Sequence, residues 1–181
     1  IYYVADDTSP FVVTFRGTTV SIPDGEDAFA DYEEAKLRVY PIEGKAAEEY
    51  IDAVQEVFGI TVSDTLTMDF AVLDSAGKPC QLDEDDEASI TISNKDFNDT
   101  TSVWHFVDSV DEKEELKPEY VKADAVNGEV TFLTKSFSVF LLGEGHKIGA
   151  KKSRALRSVD YVQVRFDPTI TSEEPQAPTE V

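Results

Sequence analysis

A single cysteine, Cys80, stands among 181 residues, so no internal disulfide can staple this chain. Its two histidines, His105 and His146, lie far apart, and with one cysteine they leave a Cys/His zinc site short of ligands. No apolar run approaches the roughly 20 residues of a membrane-spanning helix, and no signal peptide is present. Basic residues are scarce too: 16 Lys and Arg against 37 Asp and Glu leave a net charge of −21. Such a surface repels nucleic acid and anionic lipid, which excludes both as partners of this segment, and membrane insertion with them. The excess reads as a solvated exterior, or as an acidic patch for a basic partner. The chain opens on Ile-Tyr-Tyr rather than Met, which predicts a piece of something longer.

What is present is alternation. With 41% hydrophobic residues the chain can bury a core, and period two dominates their placement. "FVVTFRG" sets Phe11, Val13 and Phe15 on one face; "AKLRVYPI" sets Leu37 and Val39 against Lys36, Arg38 and Tyr40. "TLTMDFAVL" alternates Leu66, Met68, Phe70 and Val72 with polar neighbours, and "EASITIS" turns Ile90 and Ile92 inward. "SVWHFV" and "EYVKADAV" continue the series, and Asn127-Gly128 before "EVTFLTK" is a strong hairpin signal.

One segment is helical. "GKAAEEYIDAVQEVFG" spaces Ala47, Tyr50, Ile51, Val54, Val57 and Phe58 along one face, with Glu48, Glu49, Asp52 and Glu56 opposite and Gly59 at the C-cap. The predicted fold class is therefore mainly β: an antiparallel β-sandwich with one amphipathic α-helix crossover at about residues 45–58. The sandwich is expected over 1–145, followed by a basic connector at 146–158. A strand at 159–170 either closes the sandwich or starts the next module, and 171–181 is a Pro/Glu/Thr linker.

Several segments invite a chemical reading. Gly143, Gly145 and Gly149 followed by Lys151 suggest a phosphate loop, but neither the Gly-x4-Gly-Lys-Ser/Thr nor the dinucleotide spacing is met. The glycines are expected to end a strand and release the chain. In "LDEDDEA" the carboxylates Asp83, Asp85, Asp86 and Glu87 offer the hard oxygens that Ca²⁺ prefers, without the spacing of an EF-hand. A weak Ca²⁺ site there, sharing ligands with "ADDTS" or "SIPDGED", is the one metal expectation, and no other cofactor is predicted. His105 reads as a structural strand histidine, because nothing marks Ser109, Ser136 or Ser138 as activated. Tyr2, Tyr3, Tyr32, Tyr40 and Trp104 are the aromatics able to stack on sugar, with packing as their default. Lys36, Asn94 and Asn98 are conceivable partners in an isopeptide crosslink. No catalytic residue is assigned, and the chain is not expected to be an enzyme.

The order of segments resembles the repeated, Ig-like β-sandwich modules of very large surface proteins from Gram-positive, often gut-dwelling, bacteria. Carrying the resemblance are "AKLRVYPIEG" ahead of the helix, "TMDFAVLDSAGKPCQL", "SITIS", "VWHFV" and "VTFLTKSFSVF", over roughly residues 10 to 145. Phe140 stands where such modules often have Tyr, and Leu82 stands near an expected proline. Where some related folds cut themselves at His-Phe-Ser, His105-Phe106 is followed here by Val107, which lacks a hydroxyl. The resemblance implies export, a cell-wall location and a non-catalytic role in spacing or presenting adhesive regions. Its implied partners are neighbouring modules of the same polypeptide and host glycan or protein. A carbohydrate- or host-protein-binding module is the alternative.

Overall fold

The computed structural model describes residues 1–107 and 115–148. Alternation becomes strand throughout. β1 (Tyr3–Val4), β2 (Val12–Phe15) and β3 (Thr18–Ser21) lead into a one-turn helix, α1 (Gly25–Ala28), which sequence reasoning did not anticipate. β4 (Lys36–Ile42), the long helix α2 (Gly44–Phe58) and β5 (Ile60–Leu73) follow. β6 (Ala88–Ser93), β7 (Thr101–Phe106), β8 (Pro118–Val121), β9 (Ala123–Val126), β10 (Glu129–Thr134) and β11 (Val139–Lys147) complete the described elements.

The strands form two antiparallel sheets, ordered β1-β4-β5-β11-β7-β8 and β2-β3-β6-β10-β9. Between them lies a core that includes Val20, Leu37, Phe70, Ile92, Phe132 and Phe140. Every inward residue read from β2, β4, β5 and β6 is in or packed against this core, because a two-residue period leaves one face of each strand no choice. The outer face of the six-stranded sheet is covered by α2, whose Tyr50, Ile51 and Val54 meet Trp104, Phe106 and Leu141 in a second cluster. The predicted crossover helix matches α2 almost residue for residue, and Gly59 caps it in the left-handed conformation at φ 63°. Val57 and Phe58 depart from the expected inward set, for both are exposed where the last turn overhangs the sheet.

Three local expectations change. Asn127-Gly128 does close a two-residue hairpin, yet only Gly128 has positive φ. The pair with both residues at positive φ is Arg16-Gly17, between β2 and β3. "EYVKADAV" is not one strand: the chain breaks at Lys122 and passes from the first sheet (β8) to the second (β9). Gly143 and Gly145 do not end a strand but lie inside β11. A Cβ at Gly143 would stand 2.8 Å from Val62 Cγ1 and 3.0 Å from the Ser63 carbonyl, so glycine is required by the closeness of β5.

Two units are distinguished along the chain, Ile1–His146 and Lys147–Val181. The first holds both sheets. The connector beyond Ile148, the strand at 159–170 and the linker at 171–181 lie outside the described residues.

Replacing Gly143 by Ala forces the new methyl against Val62 and the Ser63 carbonyl inside a packed interface. The expected cost is about 1–3 kcal/mol, typical of core overpacking, read as a lower urea midpoint at unchanged m-value. Unchanged stability would mean that β5 and β11 are less closely apposed than described.

Candidate functional site

The acidic run falls in the loop between β5 and β6, and Asp83, Asp85, Asp86 and Glu87 are all exposed. A turn closes on Asp86 N–H to the Asp83 carbonyl at 2.9 Å. Among the described residues no three His, Cys, Asp or Glu side chains converge as metal ligands. Of the acids expected to share the ion, Asp24 does come close, but its Oδ1 accepts the Ser89 amide at 3.1 Å. Asp7 is ion-paired with Lys36.

That ion pair also bears on the crosslink. Joining an amine to a carboxyl with loss of water needs the amine unprotonated and the carboxyl protonated. Hydrogen bonding to Asp7 instead raises Lys36, and the same contact holds Asp7 below the usual carboxylate range. Asn94 and Asn98 are engaged elsewhere: Asn94 Nδ2 donates to Thr18 Oγ1 at 2.9 Å and Asn98 Nδ2 to Glu144 Oε2 at 3.2 Å.

A serine–histidine pair does form, which sequence reasoning missed. Antiparallel pairing of β7 with β11 sets His105 opposite Phe140, and the residue entering β11, Ser138, brings its Oγ to 2.8 Å from His105 Nε2. The polarity is wrong for nucleophilic catalysis. The Ser138 hydroxyl donates to the Phe106 carbonyl at 2.7 Å, so it accepts from His105, whose Nε2 therefore carries the proton. A general base needs that nitrogen free. Both side chains are buried, at 6% and 3% exposure, and the imidazole stacks on Phe140 with centroids 4.0 Å apart. Burial lowers the His105 pKa to about 4. Ser136 spends its backbone amide and carbonyl on Thr134, and Ser109 lies outside the described residues. A second pair, Ser63 Oγ and His146 Nε2 at 2.9 Å, is fully exposed. No carboxylate among the described residues orients His146.

The candidate sugar-stacking rings separate cleanly. Trp104 is buried, Tyr3 stacks on Phe15 with centroids 4.9 Å apart, and the Tyr32 hydroxyl is bound to the Gln81 backbone. Tyr2 and Tyr40 remain exposed, with centroids 5.1 Å apart and the Arg38 guanidinium 4.4 Å above the Tyr2 ring. Cys80 is buried, and that burial pushes its thiol pKa up, which makes it a packing residue rather than a nucleophile.

A cleft of about 490 Å³ opens where β4 hands over to α2. Its walls are the Arg16-Gly17 hairpin end, the stretch from Pro41 to Ile51, β5 at Thr65–Thr67, and Asn94. Arg16 Nη1 reaches Glu43 Oε2 at 2.6 Å across its rim. No signal in the sequence marks this place, because its parts come from four separated segments. No protein family, curated protein or solved structure matches this chain.

Two outcomes follow. Intact mass is expected to equal the sequence mass, and loss of one water or one ammonia would overturn the ion-pair reading of Lys36. For His105, the folded pKa of about 4 lies below the ordinary 6.5. As pH falls through 6.5 the unfolded chain takes up a proton that the folded one refuses. Stability is therefore full above pH 6.5 and declines to about pH 4, by up to roughly 3 kcal/mol. Thermal melts across this window should slope less steeply for His105→Gln, and equal slopes would count against a buried neutral imidazole.

Proposed function

We propose that residues 1–146 form a non-catalytic structural module of a bacterial cell-surface protein, spacing or presenting adhesive regions outside the wall of a Gram-positive organism. Its immediate partners are neighbouring modules of the same polypeptide, and host glycan or protein is the target of the whole. The observation carrying this reading is the position of β11. The last described strand runs between β5 and β7, pairs with β7 from Val139↔Phe106 to Glu144↔Thr101, and is roofed by α2. Tension entering beyond Lys147 acts along β11, so its cross-strand hydrogen bonds, perpendicular to the pull, share the load rather than opening one at a time.

The charge supports the same reading. Residues 1–146 hold 32 of the 37 acidic side chains and 10 of the 16 basic ones. Like-charged modules repel one another and stay separate along a stalk. The one histidine beside a buried serine is committed to donating rather than accepting, which favours a structural role for the pair.

The test is mechanical. With the full chain held by its ends, the module is expected to unfold in one cooperative step releasing about 500 Å of chain. Yielding in several small steps at low force would remove the case for load-bearing, and turnover on a hydrolase panel would replace it with an enzymatic one.

A further inference from the structure

The cleft beside α2 is left unexplained by a purely mechanical role. Two buried side-chain polar atoms lack a hydrogen-bond partner among the described residues, Thr67 Oγ1 and Trp104 Nε1. Thr67, only 2% exposed, is a wall residue of the cleft. An orphaned buried hydroxyl costs stability, about 1–3 kcal/mol, unless something answers it.

Around it stand further polar groups. Thr18 accepts from Asn94, which leaves the Thr18 hydroxyl proton to donate. The α2 N-terminus, at Glu43 and Gly44, has no side-chain cap and no acid in its first turn, so its first amide N–H groups have no side-chain acceptor. Arg16 holds φ 45°, an uncommon backbone for a residue with a side chain, and spans the rim to Glu43. Phe15, Ile42 and Leu66 supply apolar wall.

The composition of this wall selects the ligand. An anion would face the Glu43 and Glu48 carboxylates on a strongly acidic module. A cation would face the positive end of the helix and Arg16. A wholly apolar molecule would leave the Thr67 hydroxyl unanswered. A ligand whose groups both donate and accept, on a body with an apolar face, meets every requirement. We propose that the cleft binds a neutral, hydroxyl-rich small molecule, namely one uncharged pyranose unit of a sugar. Its volume lies within the range of small-ligand pockets. Tyr40 continues from it, since Tyr40 and Ile42 share a face of β4 about 7 Å apart. This binding does not depend on the load-bearing role.

The experiment is a titration of the isotope-labelled full chain, followed by amide shifts. The probes are glucose, galactose, mannose and N-acetylglucosamine, their methyl glycosides, and glucuronic acid. Saturable shifts at Thr18, Gly44 and Thr67 by a neutral sugar are expected. Methyl glycosides binding as well as free sugars identify the end of a glycan chain as the source, and free sugars alone identify a monosaccharide. Thr67→Val, which removes the hydroxyl at constant shape, should weaken binding at least about fivefold while raising the melting temperature. Ala47→Leu, which fills the cleft from the helix, should abolish binding with the fold intact. Absence of any saturable shift, shifts mapping elsewhere, stronger binding of glucuronic acid, or affinity untouched by both variants would each overturn the proposal.

Discussion

The structure depends on one strand being apolar on both faces. Phe140 and Leu142 point into the space between the sheets, while Val139 and Leu141 point out beneath α2. A strand with a single buried face would leave the six-stranded sheet wet on its outer side, and the helix would have nothing to cover. β11 instead joins the two hydrophobic clusters through its own backbone. Its neighbours are drawn close enough that Gly143 and Gly145 are the only side chains that fit beside Val62 and Ile60. The same arrangement fixes the direction of greatest mechanical resistance, which lies along the strand that leaves the module.

Polar groups inside this framework follow two different rules. The Ser138 hydroxyl, the His105 ring and the Phe106 carbonyl form a closed chain in which each donor has an acceptor. A buried network that is fully satisfied specifies register, because sliding β11 against β7 by one residue would orphan all three groups. Thr67 obeys no such closure. A hydroxyl placed beneath a helix with no partner is a cost that an alanine or valine would avoid. Its location in a cleft, rather than in the packed interior, is what makes it informative, whereas the unpartnered Trp104 nitrogen lies in none of the clefts described.

The inward faces of β2, β4, β5 and β6 were legible because alternation over four or more residues admits one solution. α2 was legible from its spacing and from Gly59. Features set by tertiary contact were not. Nothing in "SFSVFLLGEG" says whether the glycines end the strand or permit the approach of β5, since that depends on a segment some 80 residues away. The change of sheet at Lys122 was hidden because both halves of "EYVKADAV" alternate equally well. The Arg16-Gly17 turn was hidden by the unfavourable residue in its first position. Pairing of Ser138 with His105 required the register of β7 against β11, which local pattern does not carry.

The cleft and the load path are spatially separate, and this bears on how one module could serve both roles. Its walls come from the β2–β3 turn, the β4–α2 junction, β5 and the end of β6, without β7 or β11. Occupying it adds contacts to the strands that anchor α2 while leaving the β7–β11 ladder unchanged. A ligand would then stabilise the fold in proportion to its concentration over its dissociation constant, with no need for the sheets to move. Tension along β11 would in turn leave the cleft shaped for its ligand until the whole module gives way. Attachment and mechanical resistance are compatible in this architecture because different strands perform them.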